Sequence, residues 1–429
     1  MPAEPSSVAE RGESIRGNYP PPSASLVAPA VRGRIIWSSV VLAAILMLAT
    51  LPGRTQGLGL ITEPMLADLK VDRITYASIN LWATLIGSAF CLPAGWLLDR
   101  FGLRLTTTAI LLLLGATVWA MSGQAGGEML FTYVLLTRAL GQSALSVSSI
   151  TAAGKAAGPR PEMTMGVYSV LLSIFFMIAF VVVGGIVRTS GWRTAWMQVG
   201  LALLLGVAPL TFFILKDDFR GSGEMTAAPA GAGLTLAQAL RTPVFWVFGG
   251  AIALFGLVSS GIGLFNEAVL AERGFDAGAY HSFLAIMAIV SLPGQFLCGW
   301  LSKRLSLSRL LGVAMLLYAA ALAAVPVLQT KTQLWIFAAV FGFSAGMIAV
   351  VFFAVWSLAF GRAFLGRIQG AAQMLSVFAS SLGPLVFAQC HARFASYTPL
   401  LLTLAPVVLL FGIAAWLTKI KPLPADNMP

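Results

Sequence analysis

The chain has 429 residues, of which 58 % are hydrophobic and 10 % charged, with a net charge of +11. Soluble domains carry about 25 % charged residues, so a mean hydropathy of +0.87 excludes a water-soluble globular fold. The surrounding solvent must be lipid, and only helices or closed barrels satisfy their backbone groups there.

The long Leu/Ala/Val/Gly runs lack the two-residue alternation of barrel strands, so helices are predicted. Residues 1–33, rich in Pro, Ser, Glu and Arg, read as a disordered tail. Twelve apolar segments follow, over residues 35–62, 75–98, 105–123, 129–153, 163–187, 192–215, 243–271, 279–301, 308–328, 333–359, 366–390 and 397–418. Each is near the roughly 20 residues a bilayer crossing needs. Residues 216–242 form the one long polar connection and divide the chain into bundles 34–215 and 243–418, with 419–429 as a second tail. Of the 27 Lys and Arg residues, 18 fall on the side of both termini, 7 on the other and 2, Arg54 and Arg138, within spans. By the positive-inside rule this predicts cytoplasmic termini in a cell membrane. The positive charge thus records topology and attraction to anionic lipid, and no nucleic-acid partner is expected. Trp37, Trp192 and Trp416, near span ends, read as interface anchors.

The bundles repeat. Gly95-Trp96-Leu97 ends the second span and Gly299-Trp300-Leu301 the eighth, 204 residues later, each after a helix proline (Pro93, Pro293) and before a basic turn. Two parallel six-helix repeats are a secondary-transporter architecture. The segment Gly95–Arg104, with Gly95, Asp99, Arg100, Gly102 and Arg104, resembles the loop 2–3 signature of the major facilitator superfamily. The resemblance implies an all-α fold of two pseudo-symmetric six-helix bundles and a carrier working by alternating access. It also implies that Asp99, placed where the helix dipole disfavours an anion, finds a partner at neighbouring helix ends, such as Gly366-Arg367. Such a latch would hold the cytoplasmic side shut; the alternative is a topology-fixing turn. The second copy, Ser302-Lys303-Arg304, lacks the acid. Leu51-Pro52-Gly53-Arg54-Thr55 and Ala271-Glu272-Arg273-Gly274-Phe275 are similar to bacterial monocarboxylate-porter-like members, with Arg54 at a position usually held by Gln.

Arg138 lies about 15 Å into span four, near the bilayer centre. A central Arg is costly in lipid and should face a cavity or a partner. Arg138-Ala139-Leu140-Gly141-Gln142 resembles the superfamily's span-four arginine motif, and Arg138 reads either as an anion or proton-coupling contact or as a structural hub joining spans one, two and four. Arg54 follows Pro52-Gly53, a helix-breaking pair, and reads as a carboxylate clamp or as a side chain snorkelling to the surface. Asn266 is a further substrate-binding candidate, and Glu267 beside it is a proton-coupling candidate or an exposed acid. The glycines of spans seven and ten suggest close packing.

Neither a phosphate loop nor a catalytic constellation is visible. His281 and His391 lack ligand-like spacing, so no metal, cofactor or enzyme activity is expected. The leading reading is a monomeric secondary carrier of a small organic anion such as a monocarboxylate, coupled to protons. A drug or metabolite exporter and a non-transporting sensor or scaffold are the alternatives.

Overall fold

The computed structural model describes residues 29–156, 161–215 and 233–420. The predicted disorder over 1–28, most of the 216–242 connection and the last nine residues lie outside that range. Among the described residues, nine helices are long and apolar enough to cross a membrane. One of these, Met163–Ile214, is two spans folded back at Gly191 (φ 83°, ψ 162°). A left-handed φ of this kind is open to glycine at little cost. Two further spans are broken into shorter pieces. Span one runs as Pro29–Leu48, a 3-10 turn at Leu51–Gly53 and Thr55–Gly59. Span four runs as Leu130–Thr137, a π-helical turn Arg138–Leu145 and Ser146–Ala156. The total is twelve spans in the all-α, two-bundle fold.

The remaining spans are Arg73–Phe101, Leu103–Ser122, Pro243–Ala271, Ala277–Leu301, Leu307–Ala324, Lys331–Phe360, Leu365–Phe394 and Thr398–Leu417. Within the N-terminal bundle, span two packs on four, one on five and three on six; within the other, eight packs on ten, seven on eleven and nine on twelve. The repeat therefore extends to the pairing of helices. It extends to their caps as well. Asp72 accepts hydrogen bonds from Ile74 N and Thr75 N at the start of span two, and Asp276, again 204 residues on, accepts one from Ala279 N at the start of span eight. Each carboxylate satisfies amide donors that the first helical turn leaves open.

Three details differ from the sequence reading. Helix begins at Pro29, so residues 29–33 are not a disordered stretch; proline is preorganised for a first helical position. The connection that follows the predicted segment 35–62 is itself partly helical, with Glu63 in the first turn of Thr62–Leu69. Trp192 is not an exposed anchor. It is 4 % exposed, and its indole Nε1 donates to Asp68 Oδ2 at 3.0 Å. The nearby carboxylate draws the ring inward, while Trp37 and Trp416 remain exposed.

That Asp68 contact is part of a rim that ties together the loops of one bundle. Arg193 donates from Nε to Asp68 at 2.8 Å and from Nη1 to the carbonyls of Ser122 and Gln124 at 2.9 and 2.6 Å. All three loops at this end of the N-terminal bundle meet there. The residue 204 positions after Asp68 is Glu272. It accepts from Ser396 Oγ and Tyr397 N at 2.9 and 3.1 Å, while Arg273 donates to the carbonyl of Pro326 and to Thr398 Oγ1. The C-terminal bundle is thus stapled at the equivalent place with the same chemistry.

Small residues bring the helices into contact between these ends. Gly342 and Gly346 of span ten sit against the Met287 and Ser291 carbonyls of span eight. No side chain fits at either place. Gly263 of span seven faces open space. Gly342→Leu is therefore expected to destabilise the purified protein by about 1–3 kcal/mol through overpacking, while Gly263→Ala leaves it unchanged. Thermal unfolding in one detergent compares the two.

Candidate functional site

Two clusters carry unusual polar chemistry, one where the bundles meet and one inside the N-terminal bundle.

The first surrounds Asp99, whose side chain is 2 % exposed. Its own helix, Cys91–Phe101, ends at Gly102 with φ 87°, a turn open to a residue without a Cβ. The carboxylate points at span eleven. Oδ1 accepts from Gly366 N at 3.0 Å and Oδ2 from Arg367 N at 2.9 Å. These are first-turn amides of a helix N-terminus, where the dipole favours an anion. Lys155 Nζ at 3.9 Å and Arg367 Nε at 3.8 Å add two cations. Gly95 allows this approach, because a side chain there would run into the Gly366 carbonyl. Arg100 lies over the Trp96 ring, and Arg104 lies 4.0 Å from the centroid of Phe212.

The contact between spans two and eleven has a counterpart between spans five and eight. There a Cβ on Gly166 would stand 3.2 Å from Gly299 Cα. Glycine meets glycine in both places, but the second lacks a carboxylate. Further contacts close the same seam. Thr151 Oγ1 donates to Gln369 Oε1 at 2.8 Å, Gln295 Nε2 donates to Ser173 Oγ at 3.0 Å, and Tyr168 meets Phe353 edge-on at 5.0 Å. These contacts lie on the Asp99 side of the molecule.

The second cluster centres on Arg138, which is 1 % exposed. Pro52 and Gly53 break span one, and the freed Gly53 carbonyl accepts from Arg138 Nη1 at 2.9 Å. The same nitrogen reaches Thr55 Oγ1 at 3.1 Å and Gln142 Oε1 at 2.7 Å, and Nη2 reaches Asn80 Oδ1 at 2.5 Å. One guanidinium thus ties spans one, two and four through neutral acceptors. Arg54, directly after the carbonyl that Arg138 holds, turns inward and does not snorkel to the surface. Its Nε donates to Thr50 Oγ1 at 2.6 Å, and Nη2 approaches Met47 Sδ and Ser146 Oγ. The Phe176 ring lies 5.3 Å from its guanidinium carbon. Among the described residues, Nη1 of Arg54 donates to no protein atom, and neither arginine forms an ion pair.

Arg54, Arg138 and Gln142 therefore come together. Asn266 and Glu267 do not join them: both lie in the other bundle near the end of span seven, Asn266 buried and Glu267 exposed. The sequence reading missed Asn80, Thr55, Ser146, Ser149 and Tyr168. Ser149 Oγ donates to the Ala43 carbonyl and is 2.6 Å from the Tyr168 hydroxyl. Residues 138, 142, 146 and 149 carry polar side chains at four-, four- and three-residue spacing. That ladder along one helix face is the signal that could have found the serines.

The profile of the Major Facilitator Superfamily matches residues 42–384 and, in an overlapping alignment, 251–427. The chain belongs to this superfamily: it is a multi-pass membrane protein and a transporter of small solutes, which such proteins bind within the membrane. A search of curated proteins finds no match. Solved structures share the fold. The human organic anion transporter MFSD10 (TETRAN) aligns with TM-score 0.67 and 15 % identity over 90 % of this chain and 99 % of its own. FucP, a major facilitator transporter in the outward conformation, aligns with TM-score 0.68 and 16 % identity over 89 % and 98 %. A variant of the E. coli fucose:proton symporter FucP gives TM-score 0.66 and 14 % identity over the same shares.

Two substitutions test the clusters. Asp99→Asn removes the charge and one acceptor from a site built of donors. It is expected to loosen the seam and speed maleimide labelling of Cys91, which is buried beside Gly370. Unchanged labelling would show that Asp99 does not hold the bundles together. Arg138→Gln leaves the buried acceptors of three spans unpaired, at about 1–3 kcal/mol for each one left unsatisfied, read as a fall in the thermal midpoint in detergent.

Proposed function

We propose that this protein carries small organic anions, with monocarboxylates as the leading class, and that Arg54 receives the anionic group. One observation carries the reading. Two adjacent guanidinium groups lie inside the N-terminal bundle, and the spans hold no carboxylate near them. Asp99 sits at the end of span two, engaged with span eleven, and Glu267 lies near the end of span seven. A buried cation without a counter-charge is strongly unfavourable, so the site is complementary to an anion brought from outside.

The two arginines divide the work. Arg138 spends its bonds on Gly53, Thr55, Gln142 and Asn80, which fixes the break in span one. Arg54 keeps Nη1 for a ligand, and its planar fork suits a carboxylate. Phe176 and Met47 offer an apolar wall beside it. Between them these groups favour a substrate with one charged end and an apolar body. The fold similarity to an organic anion transporter and to a fucose:proton symporter is in keeping with an anion and with proton coupling. Glu267 is the candidate proton carrier. The protein works as a monomer in the cell membrane, its Asp99 end and both termini in the cytoplasm. The two bundles rock about the central seam, and breaking the Asp99 contacts opens it inward.

Uptake of labelled short-chain carboxylates into proteoliposomes tests this. A charge-assisted hydrogen bond contributes about 1.5–3 kcal/mol, so Arg54→Gln should weaken apparent affinity about tenfold or more with little change in thermal stability. Arg54→Lys should retain part of the affinity. Uptake by Arg54→Gln at the wild-type affinity would remove the anion clamp, and transport of neutral amphipathic compounds in place of acids would favour the exporter reading.

A further inference from the structure

The 204-residue repeat places two equivalent surface ladders at the Asp99 end of the molecule. On span two, Leu92, Trp96 and Arg100 follow one another at four-residue spacing. At the same register on span eight stand Phe296, Trp300 and Arg304. Residues four apart share a helix face. The apolar members are all exposed: Leu92 39 %, Trp96 41 %, Phe296 70 % and Trp300 45 %. Both arginines are exposed too, and each folds back over its own tryptophan, with the guanidinium carbon 5.2 Å from the Trp96 ring and 5.3 Å from the Trp300 ring. Among the described residues, neither Arg100 nor Arg304 forms an ion pair. Lys303 stands exposed next to Arg304.

We propose that each ladder is a binding site for one anionic phospholipid, with two such lipids held in the same leaflet, one on each bundle. The chemistry runs along the helix in the order a lipid presents it. The exposed leucine or phenylalanine lies at acyl-chain depth. The tryptophan ring lies at the interface, where its amphipathic character places it. The arginine lies one turn further out, at phosphate height. Its guanidinium, unpaired within the protein, offers a phosphate two parallel N–H donors, and the ring beneath holds it in place at low entropic cost. A zwitterionic headgroup presents its own ammonium against the same arginine and gains less. This inference does not depend on which solute is carried. It needs only the membrane fold.

The experiment is native mass spectrometry of the full-length protein released from nanodiscs of phosphatidylglycerol and phosphatidylcholine in equal parts. The wild type should retain two phosphatidylglycerol molecules in preference to phosphatidylcholine. Arg100→Gln and Arg304→Gln should each retain one, and the double variant none above the phosphatidylcholine level. A surface arginine contributes about fivefold to affinity for an anionic lipid, so each single variant should shift its own site by that factor. Arg100→Lys and Arg304→Lys keep the charge and control for folding. They should retain both lipids with reduced affinity. Equal retention of the two lipid types by the wild type, or full retention of phosphatidylglycerol by the double glutamine variant, would overturn the proposal.

Discussion

A guanidinium buried at bilayer depth must find acceptors within the protein, because lipid supplies none. The N-terminal bundle is organised around this demand. Span one breaks at Pro52-Gly53, and the carbonyl it frees becomes a ligand for Arg138. Span four widens to a π-helical turn beginning at the same arginine, and span two contributes Asn80. Three helices are thus fixed against one another by one side chain. Arg54 is held beside the break as a consequence. The equivalent region of the second bundle has Gly342 at the position 204 residues after Arg138. There the demand is absent, and span ten meets span eight backbone to backbone. One half is polar and specific inside; the other is close-packed.

Around this asymmetry the symmetric parts define what moves. Each bundle is stapled at the rim far from Asp99, through Asp68 and Arg193 in one and Glu272 and Arg273 in the other. Each is packed internally by the same three helix pairings. The bonds between bundles are of a different kind: Gln369 with Thr151 Oγ1 and the Ile150 carbonyl, Gln295 with Ser173 Oγ, an aromatic edge, and the Asp99 carboxylate on the amides of span eleven and near the Arg367 guanidinium. In the proposed rocking motion these are the contacts that part. The lipid-facing ladders on spans two and eight lie on the same helices that build the seam.

Much of this was legible in the sequence. Hydropathy alone located twelve spans to within a few residues, because crossing a bilayer imposes length and apolarity on every one of them. Electrostatics required a partner for Asp99, a carboxylate at a helix C-terminus, and the family resemblance pointed to the helix end at Gly366 and Arg367. The break at Pro52-Gly53 was readable from the chemistry of the pair. The π turn at Arg138–Leu145 was not, because its residues are ordinary and the extra residue per turn arises from packing. Trp192 looked like an anchor because position in sequence says nothing about Asp68, 124 residues earlier. Arg54 left two readings open for the same reason: the choice between core and surface rested on Thr50, Met47 and Ser146, whose positions only the fold supplies.

The stapled rims have a mechanical consequence. With its loops fastened together, a bundle cannot splay, so any displacement at one end passes through its full length as a tilt. Across a hydrocarbon thickness of about 30 Å, a tilt of about 10° shifts one end relative to the other by about 5 Å. In the proposed rocking motion each bundle acts as a lever with its fulcrum at bilayer mid-depth. Parting the glycine contacts at one mouth gears directly into narrowing the other, with no separate signal running between them.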